Sequence, residues 1–221
     1  MRRLPPARPN SLPTFPVFDR SAPPLSPSPS PLCPRSWQSL LSLYPGPLSA
    51  LCSGILTSGA LIGLSSRSIA PRFGRNYEIA EPDIVTTLVE SDLALGRIIP
   101  CPSPAYVSPL GLVPKTSGGW RRIHDLSWPP GRGINAHIPK EASTIKYLAF
   151  DEILKLILHH GRGCILVKRD LRDAFRQIPL NPLIAPLLCF SWNDSVYMEL
   201  CLPFGLSTAP LIFNLFAEGL H

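Results

Sequence analysis

Lys168-Arg169-Asp170-Leu171-Arg172-Asp173-Ala174-Phe175-Arg176-Gln177-Ile178-Pro179 decides the reading of this chain. An apolar run, Cys164-Ile165-Leu166-Val167, leads into it. A short apolar run bounded by charge predicts a strand over 163–170. Such a strand delivers Asp170 at its C-terminal end, with a second acid, a small residue and an aromatic just beyond. That layout suits a metal ion and phosphate groups, because the carboxylate offers hard oxygen and the following turn offers backbone N–H groups. The plainer alternative is a capping or ion-paired Asp beside Lys168, Arg169 and Arg172.

Working outward, Asp151 to His160 predicts a helix with Ile153, Leu154, Ile157 and Leu158 inward and Gly161 as its stop. Residues 105–126 predict a hairpin turning at Ser117-Gly118-Gly119. Alternation then puts Trp120, Arg122, His124 and Leu126 on one face, and Arg121, Ile123 and Asp125 on the other. Strands are expected at 186–192 and 195–200, joined by Asn193-Asp194. A final helix runs to Glu218, capped by Ser207 or Thr208 with Pro210 in its first turn. Another helix starts at Pro82, carries Ile84, Leu88 and Leu95 on one face and stops at Gly96.

The N-terminal third has a different composition. Eleven of the 28 prolines lie in the first 34 residues, mixed with serine, so that segment is expected to be extended and disordered. The net charge is +6, and Arg2, Arg3, Arg8 and Arg20 against Asp19 place +3 of it in that tail. Basicity over the rest is too slight to argue for a polyanion partner, so local clustering must carry that argument. Residues 36–66 carry no charge and predict two short apolar helices broken at Pro45-Gly46-Pro47. Leu48 to Leu64 is short and rich in Ser and Gly for a membrane span, so a buried helix is favoured and no membrane partner is expected. Arg2 and Arg3 are not followed by a continuous apolar core, which argues against a signal peptide. The cysteines at 33, 52, 101, 164, 189 and 201 have no zinc spacing and read as buried reduced thiols of an intracellular protein, cytoplasmic or nuclear.

Three blocks now stand in one order. The first runs from Ser108-Pro109-Leu110 through Lys115 to Gly119-Trp120-Arg121-Arg122-Ile123-His124-Asp125-Leu126. The second is Asp170-Leu171-Arg172-Asp173-Ala174-Phe175. The third is Leu202-Pro203-Phe204-Gly205-Leu206-Ser207-Thr208-Ala209-Pro210, followed by Phe213-Asn214. Together they resemble the fingers and early palm of retroelement reverse transcriptases, in wording most like long-terminal-repeat and tyrosine-recombinase retrotransposons. The resemblance covers about 95–221, with weaker similarity from Trp37 to Asn76.

It implies an α+β fold, a partial right-hand polymerase with fingers and an incomplete palm. The expected division is a tail at 1–34, a helical extension at 35–80, and fingers with truncated palm at 81–221. By the same resemblance, Arg121 clamps the triphosphate of an incoming nucleotide and Lys115 reaches its outer phosphate. Asp170 is the first catalytic aspartate and, with the Leu171 carbonyl, a ligand of Mg²⁺ in a two-metal nucleotidyl transfer. Asp173 and Ala174 cradle the triphosphate with backbone N–H groups. Phe175 is the aromatic gate that leaves no room for a 2′-OH. Phe204 stands where relatives often carry Gln, so it can offer stacking but no hydrogen bond. The implied partners are a template-primer of RNA or DNA and a dNTP.

The family's Tyr-x-Asp-Asp hairpin is expected after the final helix and is not in these 221 residues. The chain is therefore expected to be the front part of a polymerase, inactive alone, with strand 163–170 left unpaired and prone to self-association. The competing reading is a non-enzymatic nucleic-acid-binding or assembly protein. It would use Arg121, Arg122, Arg132, Lys140, Lys168, Arg169, Arg172 and Arg176 with Trp120 and Trp128. A third reading anchors the chain to a membrane through 48–64.

Overall fold

A computed structural model describes residues 30–42, 47–65, 69–116, 118–167 and 170–219. The expected tail, the Pro45-Gly46 break, and Lys168 and Arg169 lie outside them in whole or part. Helices α1 (Pro34–Leu41) and α2 (Leu48–Ser58) come first, then the short strand β1 (Arg72–Phe73) and helix α3 (Pro82–Ala94). Strands β2 (Ile98–Pro100), β3 (Tyr106–Val107), β4 (Leu110–Pro114) and β5 (Trp120–His124) precede helix α4 (Phe150–His160). A 3-10 turn at Ala174–Gln177 leads to strands β6 (Cys189–Trp192) and β7 (Ser195–Glu199) and helix α5 (Ala209–Glu218).

Two sheets result. Five strands run in the order β1-β3-β6-β7-β2, while β4 and β5 pair only with each other. Pro100 is tolerated because β2 is an edge strand. The β6–β7 turn forms at Asn193-Asp194, where both residues take positive φ, the geometry that matches a two-residue hairpin to strand twist. The β4–β5 hairpin keeps the expected alternation, with Pro114 opposite Trp120 and Leu110 opposite His124. His124 and Leu126 are buried on one face and Arg121 is exposed on the other.

The larger core joins α1, α2 and α5 to Tyr106, Leu126, Ile178, Leu180 and Leu202. Trp37 meets Phe216 edge-on at 5.1 Å, so the N-terminal helices share a core with the last helix. The smaller core sets Val85 and Val89 of α3 against Ile98, Leu110 and Phe190. Burying each such side chain contributes roughly 1.5–3 kcal/mol. That docking rotates α3 away from the expected face: Leu95 is exposed, and Val85 and Val89 point inward. Docking on a partner sets helix phase, and periodicity alone could not choose between adjacent faces.

Two other expectations fail in one region. Residues 164–167 form no strand, and Ile165, Leu166 and Val167 are exposed, Ile165 at 89%. A strand needs a neighbour to take its backbone hydrogen bonds, and among the described residues none runs beside this segment. Helix α4 forms and stops at Gly161 as expected, but none of its residues is buried. Ile153, Leu154 and Leu158 therefore do not enter a core, because no described element makes more than marginal contact with this helix. The cysteines are all free; Cys52, Cys189 and Cys201 are buried, whereas Cys33 is exposed and Cys101 and Cys164 are partly so. Among the described residues no helix is long and apolar enough to cross a membrane.

Candidate functional site

The β4–β5 hairpin leans over the 170–177 turn and leaves a cleft between them. Lys115, Arg121, Asp170, Leu171, Asp173, Ala174 and Phe175, the seven residues singled out in the sequence, all line this one cavity of about 680 Å³. They come from two segments about fifty residues apart and meet because the β4–β5 hairpin packs back on the five-stranded sheet, His124 against Cys189 and Arg122 over Phe190.

Each wall has a local cause. Lys115 sits at the hairpin turn, its N–H bonded to the Gly119 carbonyl at 2.9 Å, with Gly118 and Gly119 supplying positive φ. Arg121 is on the outward face of β5, and its guanidinium lies 4.5 Å over the Phe204 ring. Phe204 also meets Phe175 at 5.5 Å, and Phe175 meets Phe213 at 5.9 Å. The three rings form an aromatic platform under the cation. Asp173 takes a left-handed conformation, φ 51 and ψ 38, immediately before the 3-10 turn. A left-handed residue followed by a helical turn points successive backbone N–H groups the same way, which makes an anion-binding concavity. Asp170 and Leu171 are exposed at the cavity edge.

The 203–205 loop is pinned by contacts that no sequence block revealed. His124 N–H donates to the Phe204 carbonyl at 3.0 Å. Asn135 donates to the Gly205 carbonyl at 2.9 Å and accepts from Ser207 N–H at 3.0 Å. Gly205 has φ +110, and a Cβ there would collide with the His124 carbonyl. Only glycine fits that approach.

Sequence reading also missed the cavity's floor. Asp92 on α3 meets Arg122 at 2.8 Å and Arg176 at 3.0 Å. Glu199 on β7 meets Arg176 at 2.6 Å and Arg122 at 3.0 Å. The second contact is an ion pair without hydrogen-bond alignment, which leaves Arg122 Nη1 and Glu199 Oε1 without a hydrogen bond. Arg97 joins Asp92 at 3.6 Å and Asp173 at 3.1 Å. Glu199 is fully buried and Arg176 is 4% exposed. Burial alone would raise the carboxyl pKa of Asp92 and Glu199, but the Arg176 and Arg122 guanidiniums outweigh it and hold both groups ionised below the ordinary range. The same carboxylates keep Arg176 charged despite its burial. His124 is buried beside them with Nε2 2.9 Å from the Cys189 carbonyl, and burial drives its pKa down to about 4. It is therefore a neutral ring donating from Nε2 at pH 7. Arg122 and Arg176 are thus paired inside the protein and unavailable to an external polyanion, which removes two of the cations counted for the competing binding reading.

Comparison with known proteins bears on the domain as a whole. Residues 113–221 match the model of the reverse transcriptase (RNA-dependent DNA polymerase) family. The chain is 32% identical over 143 residues to the Intracisternal A-particle Pol-related polyprotein of Mouse intracisternal a-particle MIA14, a match covering 62% of this chain and 15% of the relative. It is 29% identical over 154 residues to the Pro-Pol polyprotein of Simian foamy virus type 1, covering 68% and 12%. Among solved structures, the protease-reverse transcriptase of prototype foamy virus superposes with TM-score 0.52 at 23% identity, covering 72% of this chain and 20% of that one. A foamy viral protease-reverse transcriptase in complex with dsDNA gives 0.53 at 18%, covering 89% and 43%. These relatives align the reverse-transcriptase domain with the long-terminal-repeat type of retroelement Pol, and its fold is that of partial fingers and palm. The chain spans less than a sixth of either polyprotein.

Proposed function

We propose that this reverse-transcriptase domain holds the triphosphate of a deoxynucleotide in the cleft between its fingers hairpin and the 170–177 turn. The convergence of the seven residues on one cavity carries the reading. Arg121 supplies a planar fork that pairs two phosphate oxygens at once, and Lys115 supplies a point charge. The Asp173 and Ala174 backbone forms the concavity beneath the phosphates. Phe175, fixed between Phe204 and Phe213, stands under the sugar and excludes a 2′-OH. A template-primer of RNA or DNA would run beside this cleft, a reading supported by the dsDNA-bound structural neighbour.

The metal is a different matter. Among the described residues no group of three His, Cys, Asp or Glu side chains could hold an ion. Two Mg²⁺ ions side by side need several anionic ligands, so these residues do not fit a two-metal site by themselves. We read Asp170, with the Leu171 carbonyl, as one part of an Mg²⁺ site that needs more carboxylates than the described residues supply. It follows that the 221-residue chain should not extend a primer. Detectable Mg²⁺-dependent extension by the purified chain would overturn that inference.

The exposed run through α4 and 164–167 suggests self-association through an uncovered apolar surface. Sedimentation that shifts with protein concentration is expected, and a monomer at all concentrations would count against it.

A further inference from the structure

The pocket floor is electrically closed. Asp92, Asp173 and Glu199 face Arg97, Arg122 and Arg176, each acid touching at least one of these arginines. This cluster adds no net charge to the cleft, so it does not itself attract a phosphate. Nor is stability a sufficient reason for it, since an apolar set of similar volume commonly stabilises a core as well as a buried ion pair does. Its geometry offers another role. Arg122 is the neighbour of Arg121 on β5, and Arg176 lies within the turn that begins at Asp173 and Ala174. Asp92 touches both arginines, and so does Glu199. Arg97 adds a tie to Asp173 itself at 3.1 Å.

We propose that Asp92 and Glu199 are positioning residues that lock β5 to the 173–177 turn, so that Arg121 and the Asp173–Ala174 backbone keep a fixed spacing across the cleft. Residues 121–124 of β5 are then held against the turn. This rests on the nucleotide reading for its purpose, but the mechanical coupling is independent of any ligand.

Hydrogen exchange by mass spectrometry on the full chain tests the coupling. In Asp92→Asn, peptides covering 120–124 and 173–178 should exchange faster together, while α5 peptides stay unchanged. The charge-preserving Asp92→Glu should restore protection in both. Loosening of one segment without the other overturns the proposal. Should Asp92→Asn fail to fold, the isosteric Glu199→Gln is the second variant: it weakens the contacts to Arg122 and Arg176 alike and should loosen both segments together, with loosening of one alone again overturning the proposal. Titration with inorganic tripolyphosphate tests the purpose. Affinity should fall about tenfold in Asp92→Asn and return in Asp92→Glu. Unchanged affinity in a variant whose segments have loosened overturns the positioning role. If the unaltered chain binds tripolyphosphate no better than orthophosphate, the nucleotide reading fails, and the exchange pattern still decides the coupling.

Discussion

The cleft floor and the 147–167 segment carry opposite kinds of surprise. At the floor, charged side chains are buried: Glu199, Arg176, Arg122 and Asp92 form ion pairs as short as 2.6 Å. Along 147–167, apolar side chains are bare: Tyr147, Leu148, Phe150, Leu158, Ile165 and Val167 all face solvent. The first region is over-determined, each charge held by partners on other elements. The second is under-determined, its apolar side chains left exposed for want of a close-packed partner among the described elements. Burial is decided by available partners more than by side-chain polarity.

Breaking the floor should have the largest effect. Glu199→Ala leaves Arg176 buried with one carboxylate fewer, and should cost about 3–5 kcal/mol in urea unfolding. An equally drastic change at exposed Leu158, such as Leu158→Lys, should move stability by no more than about 0.5 kcal/mol. Equal effects at both sites would erase the contrast.

Acid should probe the floor next. An unfolded histidine takes a proton near 6.5, whereas His124 in the fold does so only at about 4. Between those values the unfolded chain binds the extra proton, so stability falls as pH drops through this window, by roughly 3 kcal/mol. The depressed carboxyl groups of Asp92 and Glu199 add a further loss at still lower pH. Chemical denaturation between pH 7 and 4 measures the slope, which should flatten in His124→Gln.

Gly205→Ala should cost about 2 kcal/mol or more, because its backbone is left-handed and its Cβ would meet the His124 carbonyl. Thermal melting reads that loss. The smallest effect on stability belongs to the bare segment. Ile165→Lys combined with Leu158→Lys should weaken concentration-dependent association in sedimentation with a melting temperature nearly unchanged.

The same contrast explains what was legible in the sequence. The hairpin, the β6–β7 turn and α5 were readable because their signals are local: alternation through 120–126, Asn193-Asp194, and Pro210 after Thr208. The seven cleft residues were found through family wording and not through chemistry alone, and the structure gathers them in one cavity. The ionic floor was invisible, because Asp92, Arg122, Arg176 and Glu199 are far apart in sequence and each looks like a surface charge. Asn135 was missed for the same reason, its anchoring of Gly205 and Ser207 being a long-range contact. The strand expected at 163–170 failed because a strand is a property of a pair, and an apolar run cannot report whether its neighbour is there.

The most direct test of the account is equilibrium titration of the purified chain with Mg²⁺-dGTP, followed by the fluorescence of Trp120 beside Arg121. Saturable quenching is expected, weakening about tenfold in Arg121→Ala, with dGMP binding far more weakly than dGTP. Binding of dGTP and dGMP with equal affinity, or binding that survives Arg121→Ala unchanged, would contradict it.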